Sequence, residues 1–123
     1  MKIPKHLYYT KEHEWIKIEN DIATIGITDY AQGELGDIIF IEFPDIDTDF
    51  NAGDTIGTIE AVKTVADIYS PIRGRISDIN IYLENKPDFI NKDPYDTGWI
   101  IKLDSLVVDK SLLLSAKEYK NLI

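Results

Sequence analysis

Apolar and polar positions alternate in short bursts along this chain, and most bursts are built from isoleucine or valine and closed by Asn, Asp, Gly or Pro. β-Branched residues suit the pleated, half-buried surface of a strand, so the pattern predicts many short strands with turns between them. Trp15-Ile16-Lys17-Ile18, the turn Glu19-Asn20-Asp21 and then Ile22–Ile27 read as a hairpin. With a period of two, Ala23, Ile25 and Ile27 share one face, and Ile39, Ile41 and Phe43 share one face of a strand over Asp37–Phe43. Between these strands Thr28–Gly36 predicts a helix of one or two turns. Asp29 would cap it toward the Gln32 amide, and Gly33 or Gly36 would end it.

After an acidic loop over Asp45–Asp54, two β-rich stretches, Thr55–Val62 and Val65–Tyr69, are separated by Lys63-Thr64. A turn over Ser70–Gly74 leads into a strand over Arg75–Leu83, Asn85–Asp96 reads as loop, and Trp99–Leu103 as a final strand. Ser115-Ala116-Lys117-Glu118 is a capping box that opens a C-terminal helix over about residues 115–123, with Tyr119, Leu122 and Ile123 turned inward and Leu112–Leu114 as a staple. Many short strands at this spacing indicate a mainly β sandwich or barrel, and 123 residues suit one domain, residues 1–123.

Charge and composition narrow the functions. There are 13 Lys and Arg against 22 Asp and Glu, a net charge of −9, which repels phosphate backbones and argues against nucleic acid as a partner. No apolar run reaches the roughly 20 residues needed to span a bilayer, and the N-terminus shows no signal or presequence pattern, so the expectation is a protein without a membrane partner that stays where it is made. Cysteine is absent, which removes disulfides, thiolate metal sites and a cysteine nucleophile.

Few residues suggest chemistry of their own. Asp96-Thr97-Gly98 matches the aspartic-protease triplet, whose chemistry needs a second Asp, supplied here only by a homodimer; the alternative is a turn feeding the Trp99 strand. His13 with Glu12 and Glu14 could offer metal ligands, but these residues alternate faces if extended and no second ligand cluster has suitable spacing, so a solvated charge cluster is preferred and no metal is expected. Lys63 stands between two β stretches, flanked by valines and then carboxylates. It admits three readings: an ordinary hairpin lysine, a Schiff-base lysine needing burial, or an exposed amine that mounts a prosthetic group.

Glu60-Ala61-Val62-Lys63, followed by Ser70-Pro71 and Gly74, resembles the lipoyl-lysine hairpin and its return strand. The chain as a whole resembles the H proteins of the glycine cleavage system over roughly residues 7–122. The matching segments include Tyr9–Trp15, Gly26–Gln32, Leu35–Asp37, Asp67–Pro71, Pro94-Tyr95, Gly98-Trp99 and Ala116–Tyr119. His13-Glu14-Trp15 and Pro94-Tyr95-x-x-Gly98-Trp99 separate it from the lipoyl domains of 2-oxoacid dehydrogenases, and Val62 and Thr64 replace the methionines that flank a biotinyl lysine. Ala61, Thr64 and Tyr30 depart from the commoner Ser, Ala and His, and the Ile46–Phe50 loop lacks the usual Gly; none of these touches Lys63.

The resemblance implies a lipoyl/biotinyl-type β-sandwich, a barrel-sandwich hybrid, with lipoate in amide linkage on Lys63. It implies a non-catalytic shuttle that receives an aminomethyl group from a pyridoxal-phosphate glycine decarboxylase and yields it to a tetrahydrofolate-dependent aminomethyltransferase. Dihydrolipoamide dehydrogenase then reoxidises the dithiol. Lipoylating enzymes would read the hairpin through Glu60 and Val62, and Glu14 and Asp67 are the matching positions that could hold the ammonium of the loaded arm; for Glu14 a solvated carboxylate is the other reading. It also implies a monomer, in the cytoplasm or, if a presequence has been removed, in mitochondria. The rival functions are a lipoyl relay serving 2-oxoacid dehydrogenases and, from another class, a homodimeric hydrolase using Asp96.

Overall fold

The computed structural model describes residues 1–123. Nine strands form two sheets: β1 (Tyr8–Tyr9), β2 (Glu14–Glu19), β3 (Ile22–Ile27), β5 (Asp49–Phe50), β8 (Arg73–Ile79) and β9 (Ile101–Val107) in the order β1-β2-β3-β9-β8-β5, and β4 (Ile38–Glu42), β6 (Thr55–Ala61) and β7 (Val65–Tyr69) in the order β4-β6-β7. Every strand pairing is antiparallel. Three short helices complete the fold, α1 (Asp29–Leu35), α2 (Phe89–Lys92) and the C-terminal α3 (Ala116–Leu122). The mainly β sandwich with a C-terminal helix is borne out.

Isoleucine fills the space between the sheets. Ile16, Ile25, Ile41, Ile59, Ile68, Ile76 and Ile101 are all at most 3 % exposed and belong to one contiguous core. Each such side chain contributes about 1.5–3 kcal/mol by leaving water. Strand alternation gives β2 a second use: Ile16 enters this core, while Trp15 joins Leu7, Tyr9 and Tyr119 in a smaller cluster beneath α3. Trp15 crosses Gly26, its partner on β3, and its Nε1–H donates to Pro94 O at 2.9 Å. The β2–β3 turn holds Asn20 and Asp21 at φ 51° and 63°, the left-handed pair of a type I′ hairpin, a conformation these two residue types tolerate.

Several expectations are corrected. Over Asp37–Phe43 the buried residues are Ile38 and Ile41, with Ile39 and Phe40 exposed, because a register shift between Ile38 and Phe40 adds a residue and breaks the period of two. The cap of α1 is Thr28, whose Oγ1 accepts Ala31 N–H; Asp29 is the first helical residue and accepts from Gln32 Nε2, and Gly36 at φ 76° ends the helix. The strand read over Arg75–Leu83 begins at Arg73 and stops at Ile79, and Ile81–Glu84 is a 3-10 turn in which Leu83 is buried. The last strand starts at Ile101 rather than Trp99 and continues to Val107, with Ser105 at φ 52° inside it. The Asp45–Asp54 and Asn85–Asp96 loops hold β5 and α2. The α3 capping box forms and Tyr119 is buried, but Leu122 and Ile123 are exposed, because the helix ends before a second inward turn.

Candidate attachment site and adjoining cleft

Lys63 sits at the tip of the β6–β7 hairpin. Glu60 pairs with Val65, and Ala61 N–H donates to Thr64 O at 2.8 Å, so Val62 and Lys63 are the central turn residues, one position earlier than the expected Lys63-Thr64. Val62 N–H donates to Asp37 O at 3.0 Å, fastening the tip to the segment before β4. Lys63 and Thr64 are exposed, Val62 is 66 % exposed, and the Lys63 ammonium has no ion-pair or hydrogen-bond partner. A lysine so placed is free to be acylated, and the burial a Schiff-base lysine requires is missing. Glu60, on the same strand, is exposed beside Phe40 and Val65.

The other two expected site residues meet in one cleft. Glu14 from the start of β2 and Asp67 from β7 both line a cavity of about 280 Å³, closed on the far side by α1 through Tyr30 and Glu34. Ile27, Ile59, Leu35 and Ala66 give it an apolar interior, while Glu12, Glu14, Glu34 and Asp67 give it four carboxylates and no lysine or arginine. Hydrocarbon-lined walls with carboxylates around them fit an arm that is apolar along its length and cationic at its end. The cleft is held in shape from α2: Asn91 Nδ2 donates to Gly36 O at 2.8 Å and to Gln32 Oε1 at 3.0 Å, and its Oδ1 accepts Ile38 N–H at 3.0 Å. A larger cavity, about 670 Å³, lies between the N-terminal segment and α3 and is lined by Lys5, Lys117 and Lys120 without a carboxylate, so it offers no hold on an amine.

Glu14 is 2 % exposed, which excludes the solvated reading. Its Oε1 accepts Thr10 Oγ1–H at 2.6 Å and its Oε2 accepts Tyr69 N–H at 3.3 Å, while its own N–H donates back to Thr10 Oγ1 at 3.2 Å. Burial pushes its carboxyl up to about 7, against the opposing pull of the Thr10 and Tyr69 hydrogen bonds. A carboxyl poised there becomes an anion at little cost when a cation arrives. Asp67 is exposed on β7, opposite Thr58.

The weaker motifs resolve simply. Asp96 is an exposed turn residue whose carbonyl accepts Trp99 N–H at 3.1 Å. His13 stands in a turn at φ 69°, so Glu12, His13 and Glu14 do not alternate along a strand, and no group of three or more His, Cys, Asp or Glu is arranged to hold a metal. No helix is long and apolar enough to cross a membrane. Glu34, Thr10 and the hydroxyl of Tyr119 belong to the site region without having been singled out in the sequence, and Tyr30 was noted there only as standing where His is commoner; Thr28, as a hydroxyl residue directly before a helix, carried a readable signal.

Two facing antiparallel sheets with a free lysine at a hairpin tip define the class, a lipoyl-domain-type β-sandwich. The sequence matches the family Glycine cleavage H-protein over residues 7–123. A glycine cleavage system H protein of Staphylococcus epidermidis is 50 % identical over 125 residues, covering 100 % of this chain and 98 % of the relative. One of Staphylococcus haemolyticus is 48 % identical over 126 residues with the same coverage. The crystal structure of a glycine cleavage system H protein from Mycobacterium marinum superposes with a TM-score of 0.88 at 34 % identity, covering 96 % of both chains. The chain belongs to the glycine cleavage H-protein family, and its role is that of the lipoyl-carrying shuttle of that system.

Proposed function

We propose that Lys63 is the lipoyl-bearing residue and that residues 1–123 act as a single carrier domain without catalytic residues of its own. The observation that supports this most strongly is the unpartnered Lys63 amine on a stiff, exposed hairpin, following Glu60 and Val62 in a chain of this family. When bound, the lipoyl group supplies a disulfide that accepts the aminomethyl unit of glycine and stores two electrons as thiol.

The chain supplies the rest. The Val62 and Ala61 hydrogen bonds hold the tip in one geometry, so that a lipoylating enzyme meets Lys63 between Glu60 and Val62 in a fixed arrangement. The cleft between α1 and β7 shelters the loaded end from water, with Glu14 and Asp67 as the carboxylates that hold its ammonium. Tethering keeps the cargo at high effective concentration near each partner. Those partners are the pyridoxal-phosphate decarboxylase, the tetrahydrofolate-dependent aminomethyltransferase and dihydrolipoamide dehydrogenase, met in the cytoplasm by a monomer that must offer one tip to several enzymes. The net charge of −9 favours docking onto basic surfaces, with affinities that fall as salt rises.

Reconstitution with the decarboxylase tests the shuttle directly. Labelled bicarbonate should exchange into the glycine carboxyl only when the lipoylated chain is present. Absence of exchange from a fully lipoylated chain would favour the lipoyl relay instead.

A further inference from the structure

Tyr119 is buried in the cluster beneath α3, and its hydroxyl is also the centre of a relay that no strand or helix pattern announces. Its ring stacks on Tyr9 with centroids 4.8 Å apart. Its Oη lies 2.8 Å from Thr28 Oγ1 and 2.8 Å from His13 Nδ1. His13 leans on Tyr30 at 4.9 Å and lines the acidic cleft.

Proton counting fixes the direction of the relay. Thr28 is fully buried, and its Oγ1 already accepts Ala31 N–H as the cap of α1. If Tyr119 donated to Thr28, the Thr28 hydroxyl proton would have no acceptor, since Tyr119 is its only other partner. A buried, unsatisfied donor is costly. With Thr28 donating to Tyr119 and Tyr119 donating to His13 Nδ1, both hydroxyl protons find an acceptor. An accepting Nδ1 leaves the ring neutral, with its proton on Nε2.

The surroundings bear on the same charge state. The groups facing His13 are Glu12 and Glu14 on its own segment, Tyr30 and Glu34 on α1, Asp67 on β7, and Tyr119 on α3. Burial lowers the His13 pKa from its ordinary value, outweighing the opposite pull of Glu12 and Glu34.

We propose that Tyr119 is a positioning residue that fixes His13 as the neutral Nε2–H tautomer, which leaves the carboxylates of the cleft available to a cationic cargo. An imidazolium in that position would pair with the same carboxylates and compete with an ammonium for them. The link to the cargo rests on the cleft being the seat of an amine-bearing arm; the relay itself does not.

The test uses imidazole nitrogen NMR on the unmodified full chain. His13→Asn, a residue tolerant of positive φ, identifies which of the two histidines gives each signal. The expected result is a single Nε2–H tautomer at neutral pH. In Tyr119→Phe, which keeps the stacked ring and loses only the hydroxyl, that signature should be lost and the His13 midpoint should shift upward. A wild-type His13 that is cationic or Nδ1-protonated overturns the proposal without any variant, as does a Tyr119→Phe spectrum and midpoint identical to wild type. On the loaded chain the same variant should shorten the lifetime of the loaded form with lipoylation intact. An unchanged lifetime beside a changed tautomer overturns the link to the cargo. A chain that cannot be lipoylated at Lys63 would fail the reading of the attachment site, while the unmodified chain still decides the relay.

Discussion

Thr10 Oγ1 donates a 2.6 Å hydrogen bond to Glu14 Oε1, at a carboxylate that is almost completely withdrawn from water. The carboxyl ordinarily titrates near 4.5 and is held at about 7 in the fold. Between those values the folded chain binds more protons than the unfolded one, so the Glu14 contribution lowers stability as pH rises through that window and is constant outside it. The gap from 4.5 to about 7 corresponds to about 3 kcal/mol. Glu14→Gln removes the titration, so its stability relative to wild type should rise by up to about 3 kcal/mol between about pH 5 and pH 8. Denaturant unfolding at the two pH values checks this, and parallel stabilities would show that Glu14 does not titrate as its burial requires.

The same carboxylate should matter to the cargo. Glu14→Ala is expected to shorten the lifetime of the loaded form several-fold while lipoylation of Lys63 proceeds at the wild-type rate. Asp67→Asn should do so to a smaller extent, since Asp67 is exposed and screened by water. Decay of loaded chain, followed by release of its one-carbon unit, reads both variants; lifetimes equal to wild type would remove the ammonium-holding role.

Trp15 and Gly26 make a third, purely structural case. A Cβ at position 26 would lie 2.6 Å from Trp15 Nε1, and the indole is pinned by its bond to Pro94 O and is 1 % exposed. With no room to yield, Gly26→Ala should cost about 2 kcal/mol or more. Denaturation midpoints measure it, with Trp fluorescence reporting the displaced ring. A loss near zero would mean that the indole moves freely.

How far these features could be read in advance differed by kind. The β2–β3 hairpin was legible because Ala23, Ile25 and Ile27 repeat with a period of two and Asn20-Asp21 names its turn. The period failed over Asp37–Phe43 because a single extra residue between Ile38 and Phe40 reverses the faces, and no residue type marks a bulge of that kind. Lys63 was legible as a site because its neighbours Glu60, Val62 and Thr64 lie beside it in the chain. The cleft was only half legible: Glu14 and Asp67 came from resemblance, whereas Tyr30 and Glu34 reach it only through the packing of α1, which Asn91 secures from α2, 55 residues further along from Gly36. The depth of Glu14 could not be inferred, since Glu is ordinarily a surface residue and its partners are a threonine hydroxyl and a backbone N–H.

Lys63 as the lipoylated residue is tested most directly by intact-mass measurement and peptide mapping. The chain is incubated with an active lipoylating enzyme, lipoate and ATP, which activates the lipoate carboxylate, beside a Lys63→Arg variant. One lipoyl increment confined to the peptide containing Lys63, and none on the variant, is the expected result. An increment on any other lysine, a modified Lys63→Arg chain, or an unmodified wild type under conditions that lipoylate a control protein would contradict it.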